Sequence, residues 1–153
     1  MNIWYATNND RAKIIRLVKA TLNEFGFKYA PDTSESDLQN IDKEYKMQGG
    51  VFLIMEDDKQ ELIATGALKK EGVGIFKIRK MYVRLADRKK GYGREILIKL
   101  LELARSKGAT TVVLETSNLM ISAQQLYRSF GFVETDQQPA SPRCDITMVK
   151  KLK

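Results

Sequence analysis

The stretch Met81-Tyr82-Val83-Arg84-Leu85-Ala86-Asp87-Arg88-Lys89-Lys90-Gly91-Tyr92-Gly93-Arg94 decides how the rest of the chain is read. An extended run with aromatic and β-branched residues ends in three consecutive cations, and two glycines then open a helix. Ile96, Leu97, Leu100, Leu101 and Ala104 recur at helical spacing, so the helix is amphipathic and starts near Gly91 to Arg94. The first N–H groups of a helix lack internal partners, and its dipole leaves partial positive charge there. Gly91 and Gly93 carry no Cβ, so an anion can approach those N–H groups. Arg88, Lys89, Lys90 and Arg94 add formal charge at the same point. A basic, solvated turn would need none of this coincidence; strand, cations, glycines and helix together point to a phosphate site.

Working outward, the whole chain has 153 residues, the size of one domain able to bury a core without disulfides or metals. Residues 1–153 are expected to form that one domain. Hydrophobic content of 43% and charged content of 29% fit a folded globular protein and exclude a disordered one. The formal net charge of +7, from 26 basic and 19 acidic residues, favours anionic ligands without choosing among cofactor phosphates, nucleic acid and membrane surface. Cys144 is the lone cysteine, which fits a reducing compartment. The start of the chain has no basic flank followed by a long apolar stretch, and no apolar run reaches membrane-spanning length. The expected location is the cytoplasm.

Ahead of the central stretch, residues 3–6 read as a short strand. Asn8 or Asn9 is placed to cap a first helix whose buried stripe is Ile14, Val18, Leu22 and Phe25, stopped by Gly26. A second, more acidic helix is predicted with Ser36 and Gln39 in capping-box spacing and Leu38, Ile41 and Tyr45 facing inward. Residues 51–55 and 62–68 read as a hairpin, and 74–83 as the strand entering the central stretch. Beyond the long helix, 110–114 is a β-branched run expected to be a strand covered on both faces. Ala123, Leu126, Tyr127 and Phe130 give a short helix ended by Gly131, and strands are expected at 132–133 and 146–149. The order βααββββαβαββ, or close to it, is mixed α/β around one sheet.

These residues resemble the GNAT superfamily of acetyl-CoA-dependent N-acetyltransferases. That family's signature, Arg/Gln-x-x-Gly-x-Gly/Ala at the end of a central strand, is matched by Arg88 to Gly93. Arg79-Lys80-Met81-Tyr82-Val83 is similar to the strand before it. Leu114-Glu115-Thr116, Ala123-Gln124-Gln125-Leu126-Tyr127 and Gly131-Phe132 are similar to the family's second cofactor region. Three motifs in order and spacing are far more specific than one glycine pattern. The resemblance implies an α/β (α+β) fold with one mixed, mostly antiparallel sheet of about seven strands and about four helices.

It also implies direct attack of an amine on the acetyl thioester. Pyrophosphate would rest on the backbone of Arg88, Lys89, Lys90, Gly91, Tyr92, Gly93 and Arg94. The pantetheine would pair with the strand edge at Met81, Tyr82 and Val83, where similar proteins splay two strands and a backbone N–H near Met81 polarises the carbonyl. Tyr127 matches the tyrosine that protonates the departing thiolate in many members, and its helical face also suits a core aromatic. Asn118 lies where the family often has a side chain that bonds pantetheine; a helix cap is the other reading. Many relatives place a Glu on the strand before the loop, where this chain has Lys77. Glu115 is then the candidate base, through water, or a counter-ion for the incoming ammonium; the other reading is a structural ion pair.

With no histidine in the chain, Cys144 has no imidazole partner and reads as a small core or loop residue. No His/Cys/Asp cluster has metal-ligand spacing, so no metal is expected. Walls of the acceptor pocket are expected from residues 27–31, the second helix and residues 136–142. The expected partners are acetyl-CoA and an amine of a small molecule or protein, with neither membrane nor nucleic acid. Pairing of exposed strand edges in a homodimer is common among similar proteins. The other classes are a catalytically weak acyl-CoA-binding regulatory module and, on the basic charge alone, a nucleic-acid-binding protein.

Overall fold

The computed structural model describes residues 2–152. Its strands are β1 (Ile3–Tyr5), β2 (Val51–Glu56), β3 (Leu62–Gly72), β4 (Ile75–Val83), β5 (Thr111–Thr116), β6 (Val133–Thr135) and β7 (Ile146–Lys151). Its α-helices are α1 (Arg11–Glu24), α2 (Ile41–Glu44), α3 (Tyr92–Ser106) and α4 (Ile121–Ser129). The strands form one seven-stranded sheet in the order β1-β2-β3-β4-β5-β7-β6. Every neighbouring pair is antiparallel except β4 and β5. That parallel pair has α3 as its crossover, the connection such a pair requires.

Two apolar clusters lie on opposite faces. Ile96, Leu97, Leu100, Leu101 and Ala104 of α3 pack with Tyr127 of α4 and with Ile63, Ala64, Phe76, Ile78, Val112 and Leu114 of the sheet. Ile14, Leu17, Val18 and Leu22 of α1 pack with Leu38, Ile41 and Tyr45 over Phe52, Ile54 and Ala67. Each Leu, Ile, Val or Phe side chain among them contributes about 1.5–3 kcal/mol on burial. No residue of β5 belongs to the second cluster. Hence β5 alternates between buried and half-buried residues and is not covered on both faces as expected. α1 and its neighbours cover the β2–β4 part of that face, and the cleft described below opens beside it.

Three further expectations are corrected. Three strands, not four, lie between α2 and α3, because β3 and β4 are long and meet at a tight turn. The second helix is broken: a 3₁₀ turn over Ser36–Gln39 precedes the four-residue α2, and Asn40, not Ser36, caps α2 through the Lys43 N–H. Leu38, Ile41 and Tyr45 are buried nonetheless. The capping box at the first helix is formed by Thr7 and Asp10. Asn8 instead bonds Asn40 and the N–H groups of Ile41 and Asp42, tying the two helical segments together.

Candidate active site

The parallel register of β4 and β5 runs from Ile75↔Thr111 to Ile78↔Leu114 and stops there. β4 continues beside β3 as far as Val83↔Ala64, while β5 continues beside β7 as far as Thr116↔Ile146. The two central strands therefore diverge, and the edge of β4 beyond Ile78 faces a gap. A bulge reinforces the divergence. Ala67 pairs with Arg79 and Thr65 with Tyr82, so Lys80 and Met81 stand opposite the single Gly66. Lys80 adopts φ 53° there, and Thr65 Oγ1 donates to its carbonyl at 2.7 Å. Gly66 is required: a Cβ would meet Met81 Sδ at 2.8 Å and collide with Ile96 of α3.

At the end of β4 the chain turns through residues 84–91 into α3. Gly91 caps the helix at φ 87°, and the first helical bond runs from the Glu95 N–H to the Gly91 carbonyl. The N–H groups of Tyr92, Gly93 and Arg94 are thus free for an external acceptor. No described atom would lie within 4 Å of a Cβ on Gly91, so the approach to them is open.

The cations of the loop have different employments. Arg88 forms a two-pronged ion pair with Glu24 and donates to the Val83 carbonyl, so its side chain binds the loop to α1. Lys90 lies 3.5 Å from Asp87, and Arg94 sits 5.0 Å over the Phe130 ring. Lys89, exposed at φ 64°, makes no ion pair among the described residues. The Tyr92 ring packs against the core.

Tyr127 reaches the gap from α4. Its side chain is 5% exposed and lines a cavity with Ile78, Met81, Tyr82, Leu114 and Cys144. Among the described residues its hydroxyl has no hydrogen-bond partner, although a buried phenol usually has one. Burial, with smaller contributions from Tyr82 and Cys144, raises its pKa above the ordinary tyrosine range. It stays protonated as a donor. The residue thus packs in the core and lines the cavity.

Glu115 is engaged on all sides. It lies 2.9 Å from Lys77 Nζ and accepts the N–H groups of Ala140 at 2.8 Å and Ser141 at 3.1 Å. Burial opposes its ionisation, yet the hydrogen bonds from Ala140, Lys77 and Ser141 outweigh burial and lower its pKa. A carboxylate so held is a weak base and a firm anchor for residues 140–141. Asn118 is exposed on the turn before α4. The helix cap is Met120, so the capping reading of Asn118 does not hold. The Asn118 backbone N–H bonds Asp145 Oδ1 at 2.8 Å.

A cleft of about 360 Å³ adjoins the gap, lined by residues 33–35 of the α1–α2 connection and 140–144 of the β6–β7 connection, with Lys77, Arg79 and Tyr82 as its floor. The expected walls are there in part. α2 itself contributes nothing, because its short helix lies beside Phe52 and away from the gap. The two walls are clasped by Arg143, whose guanidinium takes both oxygens of Glu35 at 2.8 and 2.9 Å and the Lys28 carbonyl at 3.0 Å. Glu35 also accepts the Ala30 N–H. This clasp was not anticipated: its partners are 108 residues apart, and no local spacing signals such a pair. Tyr82, expected at the strand edge, also lines the cleft. Cys144 is a half-buried loop residue on the cleft wall, and burial raises its thiol pKa. Among the described residues no group of His, Cys, Asp or Glu is arranged to hold a metal.

Comparison with known proteins places this geometry. Residues 15–132 match the acetyltransferase (GNAT) family. An uncharacterized N-acetyltransferase of Schizosaccharomyces pombe is 26% identical over 82% of this chain and 78% of its own length. N-acetyltransferase 8B of Homo sapiens is 30% identical over 72% of this chain, which spans about half (51%) of that relative's length. Among solved structures, a GNAT-family acetyltransferase of Staphylococcus aureus superposes with a TM-score of 0.94 at 24% identity, covering 99% of both chains. An acetyltransferase of Salmonella typhimurium, solved with acetyl-CoA as its cofactor, gives 0.79 at 20% identity over 100% of this chain and 94% of its own. Both likenesses are of fold.

Proposed function

Because the chain belongs to the GNAT family of acetyltransferases, we propose that it moves the acetyl group of acetyl-CoA directly to a primary amine. One observation carries this reading. The gap between β4 and β5 has an unladdered strand edge on one side and the hydroxyl of Tyr127 on the other. A thioester in that gap meets both a carbonyl-polarising backbone and a proton donor.

The N–H groups of Tyr92, Gly93 and Arg94 bind the pyrophosphate, with Lys89 and Lys90 beside them. The amide-bearing pantetheine adds to the edge of β4 at Met81, Tyr82 and Val83. The attacking nitrogen forms a bond to the carbonyl carbon, and the Met81 N–H stabilises the charge that develops on oxygen. As the C–S bond breaks, Tyr127 gives its proton to the sulfur, and the amine proton leaves to water. Glu115 holds residues 140–141 and abstracts no proton. Asn118, exposed on the turn before α4, contacts the pantetheine. The single, unbridged Cys144 supports a cytoplasmic location, and the open edge of β6 supports a homodimer.

The experiment is to follow free thiol release from acetyl-CoA across a panel of amines. Release that depends on an amine and yields its acetylated product is expected. Saturable binding of acetyl-CoA without release on any amine favours a regulatory binding module instead.

A further inference from the structure

The acceptor cleft has a surplus cation. Lys77, Arg79, Lys80 and Arg143 line it, against the carboxylates of Glu35 and Glu115, and Asp37 stands behind Lys80 as a third. Three of the cations are matched. Lys77 pairs with Glu115 at 2.9 Å, Arg143 takes both oxygens of Glu35, and Lys80 lies 3.3 Å from Asp37 and 3.0 Å from the Ser34 carbonyl. Arg79 is left over. It donates one hydrogen bond, to the Ser34 carbonyl at 3.3 Å, and its nearest carboxylate oxygen, Asp37 Oδ1, is 3.8 Å away. Arg79 shares that oxygen with Lys80, which is nearer to it. Oδ1 has hydrogen-bonding geometry to neither cation, and Oδ2 receives the Tyr45 hydroxyl.

A guanidinium has five donors in a planar fork suited to two carboxylate oxygens. That of Arg79, 24% exposed, reaches Ser34 on the cleft wall, and the residue lines the cleft. A cation taken this far from water with so few partners is costly unless a ligand completes it.

We propose that Arg79 binds a carboxylate on the acceptor, which makes the acceptor a small zwitterionic amine of the amino-acid type. The inference rests on the acetyl-transfer reading above. Arg79 and Met81 flank Lys80 in the bulge of β4 and line one cavity, so a molecule held by its carboxylate at Arg79 presents a nearby amine to the thioester. The cleft's own carboxylates are spent on Lys77 and Arg143, so none is free for the second ammonium of a polyamine. At the N-terminus of a protein a peptide bond replaces the α-carboxylate that Arg79 would hold.

The test offers each amino acid beside its carboxamide and its decarboxylated amine, and follows thiol release by the protein and by Arg79→Gln and Arg79→Lys variants. Acetyl-CoA affinity is measured for all three by calorimetry. The expected result is a preference of about tenfold or more in kcat/KM for carboxylate-bearing amines, the worth of a charge-assisted hydrogen bond. That preference disappears in Arg79→Gln and partly returns in Arg79→Lys, while acetyl-CoA affinity is unchanged. Equal or faster turnover of the decarboxylated amines overturns the proposal and leaves acetyl transfer standing. Acetyl-CoA binding with no release on any member of the panel also overturns the proposal, and favours a regulatory binding module over acetyl transfer. Absence of acetyl-CoA binding in the unaltered protein would instead overturn the acetyltransferase reading itself.

Discussion

The ammonium of Lys77 lies 2.9 Å from Oε2 of Glu115, across the sheet and beside the last rung that joins β4 to β5. The pair closes the parallel ladder where the strands begin to part. The Ala140 and Ser141 N–H groups donate to the same carboxylate, which anchors residues 140–141.

Glu115→Gln should therefore change stability and leave the chemistry alone. The folded pKa of Glu115 is depressed, so its contribution is present above the unfolded value, about 4.3, and is lost as pH falls through the folded value. Urea midpoints of the two proteins should differ at pH 7 and converge in acid. The pH profile of kcat should keep its shape in the variant; loss of one limb would make Glu115 the base.

Tyr127→Phe removes the proton donor and keeps the ring, which packs at 5.9 Å from Phe132. Turnover should fall by about 10²-fold or more, the usual worth of a positioned acid. Acetyl-CoA affinity and melting temperature should hold. Unaltered turnover across the pH range would leave Tyr127 a core aromatic only.

Gly66→Ala sets a Cβ against Met81 and Ile96. Overpacking of this kind costs about 1–3 kcal/mol, and here it also pushes on the bulge that aims the Met81 backbone. Both the urea midpoint and kcat should fall. A variant as stable and as active as the parent would show that the bulge yields freely.

Arg143→Ala leaves the buried Glu35 carboxylate with Lys80 at 3.7 Å and the Ala30 N–H as its remaining partners. Breaking a buried pair in this way costs about 3 kcal/mol. The double variant with Glu35→Gln should lose less than the sum of the two single variants, because the two residues share one interaction. Strict additivity would mean that the clasp is not a coupled pair.

Much of this arrangement can be read from local sequence, and the parts that cannot share a physical cause. The strand, loop and helix around Gly91 follow from neighbouring residues, since periodicity and glycine placement act within a few positions. Tyr127 is legible for the same reason, on a helical face with Ala123 and Phe130. Arg88 shows the limit: its motif position is clear, but its side chain is committed to Glu24, 64 residues away. The Glu35–Arg143 clasp and the isolation of Arg79 depend on which loops meet over the sheet, and no spacing encodes that. The second helix was misread because Leu38, Ile41 and Tyr45 are spaced as on a helix yet reach the core from a 3₁₀ turn, a four-residue helix and the residue just after it.

Calorimetric titration of the protein and of its Gly91→Glu variant with acetyl-CoA tests the central claim most directly. Glutamate at the start of α3 sets bulk and negative charge where the pyrophosphate is placed, at a position whose φ of 87° also disfavours a side chain. Saturable one-to-one binding by the parent, weakened at least tenfold in a variant that remains folded by circular dichroism, is the predicted result. Equal affinity in the two proteins, or no binding by the parent, would contradict it.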